Sequence, residues 1–145
     1  MVRVMLAVLF LMVAALPGVA AASLDSFLGS VNAQARVDLP GFHATVSTQF
    51  GVPVPQVQAV LGRVATPADA FMVFQLGQMS HRPPDTVLQT YQAHKGKGWG
   101  VIAKELGIKP GSREFHALKS GDLVYGGGPA EGGGNGKGKG KGHKK

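Results

Sequence analysis

The sequence contains no cysteine, only one tryptophan and only eight acidic residues in a chain of 145. Without cysteine the chain has no disulfide, thiolate metal ligand, iron–sulfur cluster, covalently attached haem or cysteine nucleophile. The fold must therefore be stabilised by apolar packing alone. No segment sustains the alternation of apolar and polar residues that a strand requires, so the sequence predicts a small, all-α, one-domain protein.

The motifs that assemble catalytic groups are missing as well. The sequence has no GxSxG or SxxK, and its histidines form no HxH, HExxH or i, i+4 pair. Glu105 and Glu114 belong to separate predicted helices, so they form no carboxylate pair on one helical face. Ser112 follows Pro-Gly and precedes a helix, which is the position of an N-cap rather than of a nucleophile. We therefore expect a protein that is not an enzyme and carries no cofactor.

A metal site is an alternative that the sequence leaves open. His94 and His116, with Glu114 or Asp122, are the candidates for a site assembled in three dimensions that would bind zinc, nickel or copper. The preferred interpretation is that His116 packs or caps between its apolar neighbours, and no metal is expected.

Residues 5–16, after Arg3 and Val4, are an apolar run of twelve residues, whereas a membrane span needs about 20. Arg3 precedes this run, Pro17-Gly18 ends it, and Ala20-Ala21-Ala22 offers a small-residue cleavage site before Ser23. This arrangement is typical of a secretory signal peptide. The sequence therefore predicts cleavage of residues 1–22 and an exported mature chain, periplasmic or extracellular, that does not span a membrane.

Glycine and lysine are concentrated at the other end of the chain. Half of residues 126–145 are glycine, and five lysines face one glutamate there, whereas residues 23–125 hold nine basic and seven acidic groups. Such a segment cannot offset the entropy lost on ordering, so we expect a disordered basic arm that binds polyanions without sequence preference or merely keeps the protein soluble. Its lysines are Lys137, Lys139, Lys141, Lys144 and Lys145.

Residues 23–125 are predicted to form a compact bundle of about seven short helices. Thr66 and Pro67 supply an N-cap and a first-turn proline for the fourth helix, whose residues 70–79 are apolar on nearly every side. This helix is therefore the predicted centre of the core. Apolar positions at helical spacing are Leu24, Phe27, Leu28 and Val31; Phe42, Val46 and Phe50; Val57, Val60, Leu61 and Val64; Val87, Leu88 and Tyr91; Trp99, Ile102, Ala103 and Leu106; Phe115 and Leu118.

The segment GWGVIAKELGIKPGS, residues 98–112, resembles the first half of a DNA-binding helix-turn-helix. Ala103 and Gly107 meet its requirements, but Arg113 occupies a position where an apolar anchor is needed. Residues 46–60 keep the anchor spacing better, yet their second helix has only Arg63 to contact a phosphate. Both units are therefore interpreted as packed helix pairs, and no specific DNA site is expected.

Residues 95–119, KGKGWGVIAKELGIKPGSREFHALK, resemble the signature of a family of small exported bacterial proteins. The resemblance implies export, but no activity and no catalytic or ligand residue. The glycine-rich start of this segment has two interpretations. Its glycines let the chain turn while Trp99 enters the core, or Lys95, Lys97, Trp99 and the following amides form an anion-binding loop.

The sequence thus predicts an exported, non-enzymatic envelope or extracellular binding or accessory protein. Its basic arm would attach weakly to lipopolysaccharide, acidic wall polymers, anionic lipid or extracellular DNA. The alternatives are a helix-turn-helix-type DNA-binding regulator, if the chain is not exported, and a periplasmic protein that binds metal through histidine.

Overall fold

The computed structural model describes residues 23–126, and this part of the chain is helical without any strand, which confirms the predicted all-α bundle. The predicted signal peptide and the five lysines of the predicted arm lie outside the described residues. None of the helices within residues 23–126 is long and apolar enough to cross a bilayer. In chain order they are α1 (Leu24–Val37), α2 (Leu39–Phe50), α3 (Val54–Leu61), α4 (Pro67–Ser80), α5 (Pro84–Ala93), α6 (Trp99–Glu105) and α7 (Arg113–Ser120).

Local capping signals explain where these helices begin. The Thr66 hydroxyl accepts a hydrogen bond of 3.2 Å from the Asp69 N–H, and the Ser112 hydroxyl accepts one of 3.2 Å from the Phe115 N–H. Both predicted N-caps are confirmed. Helices α2 to α5 each have a proline in the first two positions, where a missing N–H costs no helical hydrogen bond.

Three helices end on a glycine in the left-handed conformation. Gly51, Gly107 and Gly121 have φ values of 64°, 90° and 70°. After Gly107 the Ile108 N–H donates back to the Ala103 carbonyl over 3.0 Å, and equivalent bonds follow the other two glycines. This is the Schellman arrangement, which satisfies terminal carbonyls and reverses the chain.

Helix α4 ends in the same way, but without glycine in the left-handed position. His81 has a φ of 55° and is the one non-glycine residue of the described chain with a positive φ. The Arg82 N–H then donates to the Gly77 carbonyl over 3.0 Å. A Cβ at Gly77 would lie 3.0 Å from the Arg82 carbonyl oxygen, a close contact that favours glycine at this position inside the helix.

Helix α4 forms the centre of the core, as its apolar surface predicts. It contacts α1, α2, α3 and α5, and Phe71, Met72 and Leu76 are completely buried. The rings of Phe27 and Phe50 each lie 5.4 Å from the Phe71 ring, centroid to centroid. Large aromatic side chains thus join α1 and α2 to the central helix.

The segment after α7 also contributes to the core. The Tyr125 ring stacks on Phe42 at 5.9 Å and meets Phe71 edge-on at 5.8 Å, while the Gln49 amide donates to the Val124 carbonyl over 2.6 Å. Burial raises the pKa of the Tyr125 hydroxyl. This segment therefore closes the bundle against α2.

Val64 lies outside the helix to which its spacing assigned it. Helix α3 ends at Leu61, and Val64 is a partly buried residue of the following turn. The Arg63 N–H donates to the Val60 carbonyl over 2.9 Å, which tightens the chain. Thr66 is extended and caps α4, so residues 62–65 form the connection between the two helices.

Both predicted helix pairs are packed pairs in the structure. Helix α2 contacts α3, and α6 contacts α7 across the connecting residues 106–112. Ala103 is completely buried, and a Cβ at Gly100 would lie 4.0 Å from the Phe115 ring. Small residues on α6 thus let α7 approach closely, while Arg113 at the start of α7 is exposed.

Candidate functional site

The α6–α7 pair carries an open cleft of about 740 Å³ on its outer side. We call it the α6–α7 cleft. The residues that line it come from the start of α1, from α6, from the connection and from α7. They are Ser23, Lys104, Pro110, Phe115, His116, Lys119 and Ser120.

Two lysines from different helices meet on one aromatic ring in this cleft. The Nζ atoms of Lys104 and Lys119 each lie 5.9 Å from the centroid of the Phe115 ring. Phe115 is only 5% exposed, so its position is fixed by the core, whereas both lysines are exposed. The electron-rich face of the ring favours nearby ammonium groups and thereby partly offsets their mutual repulsion. The core therefore fixes the ring that both positive charges approach.

The charge in the cleft has one sign. His116 adds a third basic side chain from α7, and the described residues that line the cleft include no aspartate or glutamate. The Ser120 hydroxyl is already used, because it donates to the His116 carbonyl over 2.9 Å. The arrangement is suited to holding an anionic group between exposed cations.

The local sequence explains why these side chains face outwards together. Ser112 starts α7, so Phe115 and Leu118, three residues apart, both turn into the core. His116 and Lys119 have the same spacing one position later and therefore lie together on the exposed face. The Ser112 hydroxyl donates to the Lys109 carbonyl over 2.6 Å while capping α7, so the cap occupies its hydrogen-bonding capacity.

The predicted anion-binding loop, which contains Lys95, Lys97 and Trp99, differs from the α6–α7 cleft in how its side chains are placed. Gly96 and Gly98 have φ values of 84° and 88°, conformations that allow the chain to turn before α6. Lys95 and Lys97 are exposed, but Trp99 is only 9% exposed and stacks on Tyr91 with ring centroids 5.4 Å apart. The indole therefore packs in the core, with little surface left for a ligand.

Lys95 and Trp99 line a smaller cavity of about 270 Å³ together with Asp69. The Tyr91 hydroxyl donates to the Asp69 carboxylate over 3.1 Å and accepts from the Ala65 N–H over 3.3 Å. Burial raises the pKa of the Tyr91 hydroxyl, and the nearby Asp69 charge raises it further. Because this cavity combines a lysine with a carboxylate, it is less suited to an anion than the α6–α7 cleft.

The histidines proposed as metal ligands have separate surroundings. His94 Nδ1 lies 3.0 Å from the Thr90 carbonyl oxygen, and its Nε2 lies 4.0 Å from a Glu105 carboxylate oxygen. His116 lies in the α6–α7 cleft. Within residues 23–126 no group of three or more histidine, aspartate or glutamate side chains is arranged to hold a metal ion. The set that combines both histidines with Glu114 or Asp122 is not assembled in this part of the chain.

No protein-family model matches the chain, and neither a curated protein nor a solved structure is significantly similar to it. Function must therefore be inferred from the site itself. Lys104, Lys119 and Ser23 were not singled out by their local sequence. Lys119 follows Phe115 by four residues, which places the two side chains close together on α7. Lys104 lies on α6, so its approach to Phe115 depends on how α6 packs against α7.

Proposed function

We propose that this protein is an exported, non-enzymatic binding or accessory protein that attaches to polyanions. The observation that carries the proposal is the α6–α7 cleft, in which Lys104, Lys119 and His116 meet without a lining carboxylate among the described residues. The lysines of residues 137–145 add positive charge in the sequence. The partners have repeated phosphate or carboxylate groups in common: lipopolysaccharide, acidic wall polymers, anionic lipid and extracellular DNA.

The strength of attachment follows from the exposure of these groups. Each lysine near an anionic surface contributes about 1 kcal/mol and less as salt increases. On nucleic acid the five C-terminal lysines would give a salt slope of at most about 3.5 to 4.5, from 0.7 to 0.9 per neutralised phosphate. Attachment is therefore weak at each contact, depends on several contacts at once and is reversible with salt.

The proposal is tested by salt elution of residues 23–145 from heparin and from immobilised lipopolysaccharide. Deletion of residues 127–145 removes the C-terminal lysines and retains Gly126, whose N–H donates to Gln49. We expect this deletion and the double variant Lys104→Gln/Lys119→Gln each to elute at lower salt than the unchanged chain. Helicity and melting temperature should be nearly unchanged by the deletion.

The double variant Lys95→Gln/Lys97→Gln is the matched control, because it removes the same charge from another exposed part of the surface. It should weaken retention less than the cleft variant. Equal weakening would mean that net charge alone governs attachment, and the reverse order would assign the site to the loop. Unchanged retention in all three variants would refute the proposal.

Export separates this proposal from a DNA-binding regulator. Fractionation of the native host with N-terminal sequencing should find the protein outside the cytoplasm, beginning at Ser23. A cytoplasmic protein that retains residues 1–22 would instead support the regulator. Anionic vesicles, wall polymer and DNA of arbitrary sequence, used in parallel binding assays, would distinguish the envelope partners from one another.

A further inference from the structure

We propose that removal of the predicted signal peptide completes the α6–α7 cleft as a phosphate-binding site. Cleavage between Ala22 and Ser23 leaves a positively charged amino group on Ser23, and Ser23 lines the cleft with Lys104 and Lys119. This inference rests on the proposed function of the same cleft. It adds a third ammonium group that exists only in the mature chain.

The chemistry of the step is the hydrolysis of one peptide bond. A signal peptidase directs water to the Ala22 carbonyl carbon and the C–N bond breaks, so that Ala22 gains a carboxylate and the Ser23 nitrogen becomes an amine. Before cleavage this nitrogen is a neutral amide. Afterwards it is an α-amino group, with an ordinary pKa of about 7.7 to 8.0, and it is largely protonated at neutral pH.

Helix α1 holds Ser23 in a defined position. The Ser23 hydroxyl accepts a hydrogen bond of 3.2 Å from the Ser26 N–H, and its carbonyl accepts one of 3.1 Å from the Phe27 N–H. The new amino nitrogen is bonded directly to the Ser23 Cα, about 1.5 Å away. The new charge is therefore attached to a residue that is fixed as the N-cap of α1, at the wall of the cleft.

The end of α7 fixes this position from the other side. A Cβ at Gly121 would overlap the Ser23 carbonyl oxygen and would lie 2.7 Å from the Ser23 carbonyl carbon and 3.0 Å from the Leu24 nitrogen. Only a residue without a side chain permits such an approach, and Gly121 follows directly on the helix that carries Lys119. The start of α1 and the end of α7 thus interlock at the cleft.

The charges around Ser23 favour a phosphate group. Lys104, His116 and Lys119 line the same cleft, and the N-terminal end of α1 also attracts negative charge. Glu105 and Glu114 are adjacent in sequence to residues of the cleft, and Asp25 and Asp122 lie two residues from Ser23 and Ser120, but none of these four carboxylates lines the cleft. A phosphate dianion bound in the cleft would be attracted by three ammonium groups after cleavage and by two before cleavage.

A functional consequence follows from where each form of the chain is found. The precursor is made among cytoplasmic nucleic acids, which are phosphate polyanions. Its cleft lacks the amino group, so it binds phosphate more weakly until export and cleavage have taken place. Processing then adds the charge in the compartment where we propose that the protein acts.

The test compares residues 23–145, with Ser23 as the first residue, with the same chain acetylated only at the Ser23 amine. Inorganic phosphate is the probe, and amide chemical shifts of α7 and of the start of α1 report binding. We expect acetylation to weaken phosphate binding roughly two- to fivefold, as is typical for the loss of one exposed charge–charge contact. An unchanged melting temperature would show that the acetyl group leaves the N-cap intact.

Two further forms separate this inference from the proposed function. In a chain that begins at Ala22 the amine is one residue away, and phosphate affinity should fall between those of the other two forms. The variant Lys104→Gln/Lys119→Gln tests the cleft itself. If it weakens phosphate binding while acetylation has no effect, the amino group is not part of the site but the proposed function stands. If neither change weakens phosphate binding, this inference is refuted and the proposed function loses the cleft as its site.

Discussion

The first helices of the α2–α3 and α6–α7 pairs end in the same way, but the two pairs present different chemistry to solvent. In each pair the first helix ends in a Schellman arrangement on a left-handed glycine, Gly51 or Gly107. The exposed residues of α3 are Pro55, Gln56, Gln58 and Ala59, whereas those of α7 are Arg113, Glu114, His116, Lys119 and Ser120.

The few charges near α3 also have a different environment. Arg63 lies 3.6 Å from the Asp85 carboxylate, so its positive charge is already balanced. Lys104 and Lys119 instead converge on Phe115 in a cleft without a lining carboxylate among the described residues. The glycine that ends the first helix thus reverses the chain in both pairs, while the exposed positions of the second helix determine what the pair can bind.

The largest effect should come from the aromatic residue that anchors α6. Trp99→Ala removes a buried indole that stacks on Tyr91 and should lower the free energy of unfolding by about 3 to 5 kcal/mol. Phe42→Ala is the matched change in the other pair, since Phe42 on α2 is buried as well. Urea denaturation followed by circular dichroism measures both. A loss below about 1 kcal/mol for Trp99→Ala would mean that its side chain is exposed, which is the behaviour of a binding residue.

Tyr91, on which Trp99 stacks, should have the next largest effect. Tyr91→Phe removes the hydrogen bonds to Asp69 and Ala65 and should cost about 1 to 3 kcal/mol, because a bond between neutral groups contributes about 1 and a bond to a charged carboxylate contributes more. Chemical denaturation at neutral pH measures this loss. No loss at all would mean that water satisfies the Asp69 carboxylate equally well.

The raised pKa of Tyr91 adds a dependence on pH. The unfolded chain loses the phenolic proton near pH 10, before the folded chain does, so the unfolded state becomes relatively more stable as the pH rises further. This contribution to stability is fully present below pH 10 and is lost as the pH rises through the folded-state pKa. The Tyr91→Phe variant should therefore lose less stability above pH 10 than the unchanged chain. A residual dependence should remain, since burial raises the pKa of Tyr125 too.

The glycine that ends the first helix of each pair should be sensitive to substitution. Gly51→Ala and Gly107→Ala place a Cβ in open space but in a left-handed conformation, which costs about 1 kcal/mol for an L residue at Gly51 and more at Gly107, whose φ of 90° lies outside the usual left-handed region. Both melting temperatures should fall, that of Gly107→Ala by more, and heparin retention should stay unchanged. Reduced retention in Gly107→Ala alone would show that the turn and the binding surface are not separable.

Helix caps and helix-ending glycines are the reason that much of the fold could be predicted from the sequence. A cap such as Thr66 or a stop such as Gly107 acts within one turn of helix, so the number of helices, their approximate limits and the central position of α4 follow from short segments. The left-handed residue at the end of α4 could not be found in this way, because the glycine that permits the reversal is Gly77 and His81 takes the positive φ.

The candidate site depends on contacts between distant parts of the chain. Ser23 becomes part of the cleft only because Gly121 allows α1 to pack against α7. Neither residue has a sequence pattern that reports this contact. Glycine and charge directed attention to Lys95 and Lys97, but in the structure Lys95 lines a cavity that also contains Asp69, whereas Lys104 and Lys119 line a cleft without a carboxylate among the described residues.

The smallest effects on stability should come from the exposed charges. Arg63→Gln breaks an exposed ion pair and should change the free energy of unfolding by less than about 0.5 kcal/mol, because solvent and salt screen such pairs. Lys104→Gln/Lys119→Gln should cost at most about 1 kcal/mol, since the lost contacts with Phe115 are partly compensated by relief of repulsion between the two lysines. Denaturation of both variants in parallel with heparin elution measures stability and binding together. If only the lysine variant loses binding and both variants are nearly as stable as the unchanged chain, recognition is assigned to the exposed face of the α6–α7 pair. A large loss of stability in the lysine variant would instead mean that the two lysines act mainly in packing.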